Sequence, residues 1–327
     1  MIMKRKILSL IVVLVLIFTF VGCGNQEEVQ EENQENQEEL EENEEEQGEE
    51  ENESQYPVKI TDGYGREIEI EKPAEKIISL APSMTETIFA LGAGDRLVGV
   101  TTYCNYPEEA KEIDQVGDFE GPNLESVIEK NPDVVVALAM GDDEKSKLED
   151  AGITVFLQDP QNLGEVFDNI KKIGTILGLQ EEAESLTSNM NAKKDSIVET
   201  VSNYDSKKVF YEVWSEPLMT AGPGSILDEM INLSNGENIA YDAESLYPEY
   251  SLELLIERNP EVYLTADDGF KTVEDIKNRE GYENITAIKE NNIYMLHPDI
   301  VSRTGPRIIE GLEMIAQAIH PEAFQGK

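Results

Sequence analysis

The chain is predicted to fold as an α/β protein of two α/β lobes. Each lobe is built around a central, mostly parallel sheet; a long rigid helix bridges them, and a ligand cleft lies between them. Three features predict this. First, NLESVIEKNPDVVV at 123–136 is echoed by SLELLIERNPEVYL at 251–264, with Leu124, Glu125, Ile128, Glu129, Asn131, Pro132 and Val134 matched by Leu252, Glu253, Ile256, Glu257, Asn259, Pro260 and Val262. Each copy reads as a short helix capped by Asn123 or Ser251, stopped at an Asn-Pro break and followed by an apolar strand. The 128-residue offset is far beyond the roughly 20–50 residues of a solenoid unit, so it marks two equivalent lobes. Second, short apolar runs alternate with helical patterns on both sides of the chain's middle, which implies parallel sheets covered by helices. Third, residues 162–204 keep helical spacing with no strand among them. One long helix, or two in tandem, there would join the lobes rigidly and predicts little hinge closure.

In chain order, VKITD and REIEIE around Gly63-Tyr64-Gly65 read as a hairpin with period-two alternation. KIISL (76–80) is a strand, and Ser83-Met84-Thr85-Glu86 has the spacing of a capping box opening the next helix. LVGVTT (97–102) and the strand DVVVAL follow, then a helix over Asp142–Ala151 and the strand ITVFL (153–157). After the linking helices, KVFYEVW (208–214), the helix SILDEMINLSNG, the second repeat copy and NIYML (292–296) restore the alternation, and PRIIEGLEMIAQAIH (306–320) is a terminal helix.

The first fifty-five residues stand apart. Lys4, Arg5 and Lys6 precede an apolar run from Ile7 to Val21, the layout of a secretory signal peptide over 1–22 and short of the roughly 20 residues a membrane span needs. Phe20-Val21-Gly22-Cys23 resembles a bacterial lipobox, so Cys23 is expected to carry lipid and to hold the protein on the extracytoplasmic face of the membrane. Residues 24–55 contain sixteen Glu and no basic residue; such a tract cannot bury a core, and 23–55 reads as an extended acidic tether. The remainder divides into an N-terminal lobe (56–161), the connecting helix (162–204) and a C-terminal lobe (205–327). Of the formal charge of −42, the globular residues 56–327 keep −29, which argues against a nucleic-acid partner.

Enzyme signatures are missing: there is no G-x-x-x-x-G-K, no G-x-S-x-G and no H-E-x-x-H, and the only histidines are His297 and His320. Neither a catalytic set nor a metal-ligating set is predicted, and no cofactor beyond a bound ligand. Cys104 reads as a small buried hydrophobe. Ligands of open α/β sheets sit beyond the carboxyl ends of the strands. The segments there carry Tyr103, Phe119 and Trp214, which suit the walls of a large planar ligand, with Ser302 or Arg303 to orient it. Tyr106-Pro107 reads as structural.

The run from Lys76 to Leu138, with T-Y-x-x-Y-P at 102–107, Q-V-G at 115–117 and N-L-E at 123–125, together with DIVSRTGPR at 299–307, resembles the cobalamin-binding lipoproteins and periplasmic proteins of ABC importers. These belong to a class bridged by a helical backbone that also serves haem and ferric siderophores. The resemblance implies a non-enzymatic, monomeric receptor that captures cobalamin or a related corrinoid and passes it to a permease dimer with its ATPase. Haem or a ferric siderophore is the alternative ligand, and a surface-anchored hydrolase the alternative class. It places ligand contacts at Tyr103, Asp299, Ile300, Val301, Ser302 and Arg303, with Phe119 where relatives carry tryptophan. It also places permease docking at Glu125 and Glu253, one in each repeat copy. Helix-end chemistry competes with that last assignment, because the macrodipole favours a carboxylate in the first turn and Glu129 and Glu257 match as well.

Overall fold

A computed structural model describes residues 56–118 and 120–325; the expectations for the signal segment, Cys23, the tether and Phe119 lie outside the described residues. The chain opens on a hairpin of β1 (Val58–Thr61) and β2 (Glu67–Ile70), paired antiparallel with Val58 opposite Ile70. Its turn is fixed by Asp62, whose carboxylate accepts the amides of Tyr64 and Arg66.

The first lobe holds a six-stranded sheet in the order β6-β5-β4-β3-β7-β8. Its members are β3 (Ile77–Ser79), β4 (Leu97–Thr101), β5 (Gln115–Asp118), β6 (Gly121–Pro122), β7 (Val134–Ala137) and β8 (Thr154–Leu157), parallel except for β6. The second lobe holds β9 (Lys207–Ser215), β10 (Leu218–Thr220), β11 (Gly236–Asn238), β12 (Val262–Ala266) and β13 (Ile293–Leu296) in the order β10-β9-β12-β13, with β11 also on β9. Only β10 runs antiparallel.

The repeat is structural as well as textual. Helices α2 (Leu124–Glu129) and α7 (Leu252–Arg258) begin where the Asn123 and Ser251 side chains accept the amides of Ser126 and Leu254. Each helix ends on an Asn with positive φ, Asn131 at 47° and Asn259 at 48°, a left-handed conformation that asparagine tolerates well. The next acidic residue then ties the unit to the start of the neighbouring central strand, β3 or β9. Asp133 donates its amide to Lys76 O and accepts the Lys76 amide, and Glu261 does the same with Lys208.

Alternate residues of the central strands feed different cores. Ile77, Val134 and Val136 join an apolar cluster that continues through the linking helices to Val209, Leu264 and Leu312 of the second lobe. The outer faces have their own cores: Ile78 and Val135 with Val127 of α2 and Leu148 of α3 (Asp142–Asp150), and Phe210 and Tyr263 with Leu255 of α7. The lobes thus share one core, while α2 and α7 cover the faces turned away from it.

The link over 162–204 is two helices rather than one. α4 (Leu163–Leu177) ends at Gly178, whose φ of 72° is left-handed, and α5 (Gln180–Val201) follows. The 22-residue α5 is the long member. It is tied to the terminal helix α11 (Ile308–Ile319) by the Lys193–Glu313 ion pair. α4 packs on the first lobe, with Asn169 reaching Met84 of α1 (Pro82–Ala90), and its first amide donates to Glu229 of the second lobe. The two helices touch at Gly174, where a Cβ would lie 2.5 Å from the Ala183 methyl and 2.9 Å from Leu179 O. Gly174→Val is therefore expected to overpack this contact and destabilise the protein by about 1–3 kcal/mol. It would be read as a lower urea midpoint at unchanged m; an unmoved midpoint would show that the helices can part there.

Candidate functional site

Where the carboxyl edges of the two sheets meet, the segment after β4 faces the segment after β13. Across this junction runs a network of charge centred on Glu86, 3% exposed, on α1. Arg307 binds both its oxygens, through Nε at 2.8 Å and Nη2 at 2.6 Å, and Arg303 adds Nη1 at 2.8 Å. Arg303 also pairs with Asp299 at 2.8 Å and donates to Asn105 Oδ1 at 2.8 Å and to the Tyr103 carbonyl at 3.4 Å. Arg307 stacks its guanidinium 3.8 Å from the centre of the Tyr106 ring. The hydrogen bonds to Glu86 hold Arg307 still more firmly protonated than a free guanidinium. Two cations meet two anions, so the junction is close to neutral, and Tyr103 stands half-exposed beside it.

Glu86 corrects the expectation of a capping box. The helix starts two residues earlier, on Pro82 at N1 with Ala81 as a cap whose side chain makes no bond. Proline's fixed φ suits that first position. Ser83 and Glu86 therefore lie inside the helix, and the carboxylate is free to cross to the other lobe. Tyr106, read as structural, is exposed and serves as the platform for Arg307.

Such a two-lobed junction is the architecture of a known family: residues 77–300 match the periplasmic binding protein family. The chain belongs to that family. This binding protein is 37% identical to the Bacillus subtilis ABC transporter substrate-binding lipoprotein YvrC over 83% of its own length and 88% of that relative's. Among solved structures it is similar to the Vibrio cholerae periplasmic vitamin B12-binding protein BtuF. The identity is 27%, the TM-score 0.65, and the match covers 77% of this chain and 99% of that one. It is also similar to the haem-binding protein RhuT of Roseiflexus, at 25% identity and a TM-score of 0.69, over 76% and 99% of the two chains.

The binding protein's other expected ligand contacts are unevenly placed. Trp214 is 57% exposed at the β9–β10 hairpin, its indole donating to Glu216 O. It shares the carboxyl edge with β13, and no ring contact joins it to Tyr103 among the described residues. In the short helix α10 (Pro298–Ser302), Val301 lies in the core and Ile300 is buried, so their side chains turn inward. The Ser302 hydroxyl is taken up by Pro298 O at 2.6 Å. That loop offers Asp299 and Arg303 to the junction instead. Cys104 is buried, its thiol 3.1 Å from the Thr85 hydroxyl and 3.3 Å from that of Thr101.

One exposed aromatic escaped the sequence reading. Phe270, 96% exposed, sits at the tip of the loop after β12, between the Trp214 hairpin and the α10 segment in strand order. The loop is pinned from below. Lys271 reaches the buried Glu212 of β9 at 3.0 Å, and Asp268 accepts the Phe270 amide at 2.9 Å. Burial alone would raise the Glu212 pKa, but Arg279, Tyr263 and Lys271 hold it below the usual carboxylate range.

Proposed function

We propose that the chain is the substrate-binding component of an ABC importer, that it captures cobalamin or a related corrinoid, and that Cys23 anchors it on the extracytoplasmic face of the membrane. Membership of the periplasmic binding protein family carries the first part, supported by the likeness to YvrC. The charge balance at the lobe junction supports the ligand class. With Arg303 and Arg307 matched by Glu86 and Asp299, the junction has no spare cation among the described residues for a strongly anionic ferric siderophore. A large, nearly neutral ring system flanked by Tyr103 and Trp214 fits better. Haem is the second reading, favoured by the half-exposed Tyr103 phenol, a known type of axial ligand to haem iron.

Trp214 is the chain's single tryptophan and lies on the same carboxyl edge, so its fluorescence is expected to report on a ligand held there. Titrating cobalamin into residues 56–327 is expected to quench it saturably at micromolar ligand or below. A Soret band that sharpens at one equivalent of haemin, without cobalamin binding, would transfer the assignment to haem. Absence of saturable binding by either sinks the ligand assignment.

A further inference from the structure

Among the described residues no large apolar side chain is as exposed as Phe270; the next, Tyr241, is 63% exposed. A lone exposed hydrophobe is ordinary, and on a loose loop it would carry no meaning. Phenylalanine, however, lacks the polar tip with which Tyr and Trp sit at a wet surface, and this loop is not loose. Asp267 donates its amide to Leu296 O at 2.8 Å, so the loop leaves β12 still tied to the last residue of β13. Asp267 accepts the Gly269 amide at 3.1 Å, and Asp268 accepts those of Phe270 and Lys271 at 2.9 and 3.2 Å. The buried Glu212 holds both ends of the excursion, through Lys271 before the short helix α8 (Val273–Lys277) and through Arg279 after it.

The strand register sets where the ring stands. β12 lies between β9 and β13 and runs parallel to both, with Thr265 opposite Glu212 and Ala266 opposite Leu296. Three neighbouring strands therefore deliver Trp214, Phe270 and Asp299 to one carboxyl edge, each a few residues beyond those pairings. In the segment after β13, Ile300 and Val301 are buried, and Asp299 and Arg303 give the junction charge. The loop after β12 supplies the same edge with an apolar surface.

We propose that Phe270 is a ligand contact of the second lobe, an aromatic wall that the face of a large ring system covers, and that Lys271 is the residue that positions it. This rests on the ring-ligand reading above. A loop already fixed in the free protein loses little freedom when ligand arrives, so the apolar area that Phe270 gives up to the ligand appears in the affinity.

The test is equilibrium dialysis of the full chain against cyanocobalamin and, separately, against haemin. Phe270→Ala is expected to weaken binding of whichever ligand the parent takes about tenfold, and Phe270→Tyr to keep parental affinity. The side chain is exposed, so Tm should stay within about 2 °C of the parent. Lys271→Met should weaken binding several-fold, yet change nothing further when added to Phe270→Ala, because it acts through the ring. Fully additive losses would overturn the positioning role of Lys271. If the parent binds and Phe270→Ala binds equally well, the proposal falls and the ligand reading stands. Such a variant that instead no longer binds the permease–ATPase complex in nanodiscs would make Phe270 a protein contact. If the parent binds neither compound, both readings fall.

Discussion

Charge reversal at Glu125 and Glu253 together is expected to lower ligand import by two orders of magnitude or more while leaving ligand affinity in solution unchanged. Both carboxylates are exposed on the outer layer of their lobes, without an ion-pair partner among the described residues, and neither is among the hydrogen-bond partners at the Glu86 junction. Arginine at both places turns two attractions toward a basic partner surface into two repulsions, and effects at separate sites multiply. Glutamine at both places removes the attraction without adding repulsion and should give an intermediate loss. A structural role for these helix-end carboxylates makes the opposite forecast: lower thermal stability with import intact. Cellular uptake of labelled ligand, set beside Trp214 titration and thermal melts of the same variants, separates the two. Parental uptake by the double arginine variant would reduce the repeat to shared architecture.

The second large effect is expected at Glu86. Its side chain is 2% exposed and those of Arg303 and Arg307 are 11% and 14% exposed, so all three sit away from solvent. Glu86→Ala leaves Arg307 without its carboxylate and Arg303 with Asp299 alone, and is expected to cost about 3–5 kcal/mol. For a protein of this size that is a fall in Tm of roughly 10 °C. Replacing the whole set, as Glu86→Met/Arg303→Met/Arg307→Leu, should recover most of the loss, because well-packed apolar groups often match or exceed a buried ion pair. A loss below about 1 kcal/mol for the single variant would mean that water reaches the cluster freely. The same pair of variants tests function. The triple variant keeps the lobes together while removing the polar junction, so weakened cobalamin binding there would place the charges in ligand recognition rather than in packing alone.

The lobes and their repeat were legible because short-range chemistry encodes them. Caps at Asn123 and Ser251, Asn-Pro breaks and continuous apolar strands each act within a few residues, and all appear as expected. Tyr103 and Trp214 were also legible as edge aromatics, and both are exposed. The two-helix link was ambiguous because the decisive residue, Gly178, reveals itself only by its left-handed backbone. Glu86 was misassigned for a different reason. A Ser-x-x-Glu spacing is a local pattern, whereas the carboxylate's partners lie 217 and 221 residues away, and Pro82 had already set the helix start. The burial of Ile300 and Val301 was hidden for a related reason: a five-residue helix on the core side of its loop points its apolar residues inward, which a linear motif does not disclose. Phe270 was hidden in a short acidic stretch with no apolar period to flag it.

The matched helices α2 and α7 carry a kinetic consequence. A body whose two ends present the same order of exposed side chains has no distinguishable front and back toward an object with two-fold symmetry. Toward a partner with a basic pocket on each half, either way round would bring acid to base, so a half-turn about the approach axis would waste no encounter. Since the rotational search limits how often protein surfaces dock productively, pseudo-symmetry of this kind would about double the fraction of collisions that succeed with such a partner. The two orientations would differ only in which lobe faces which subunit, and the cargo would then enter the translocation path in either of two poses.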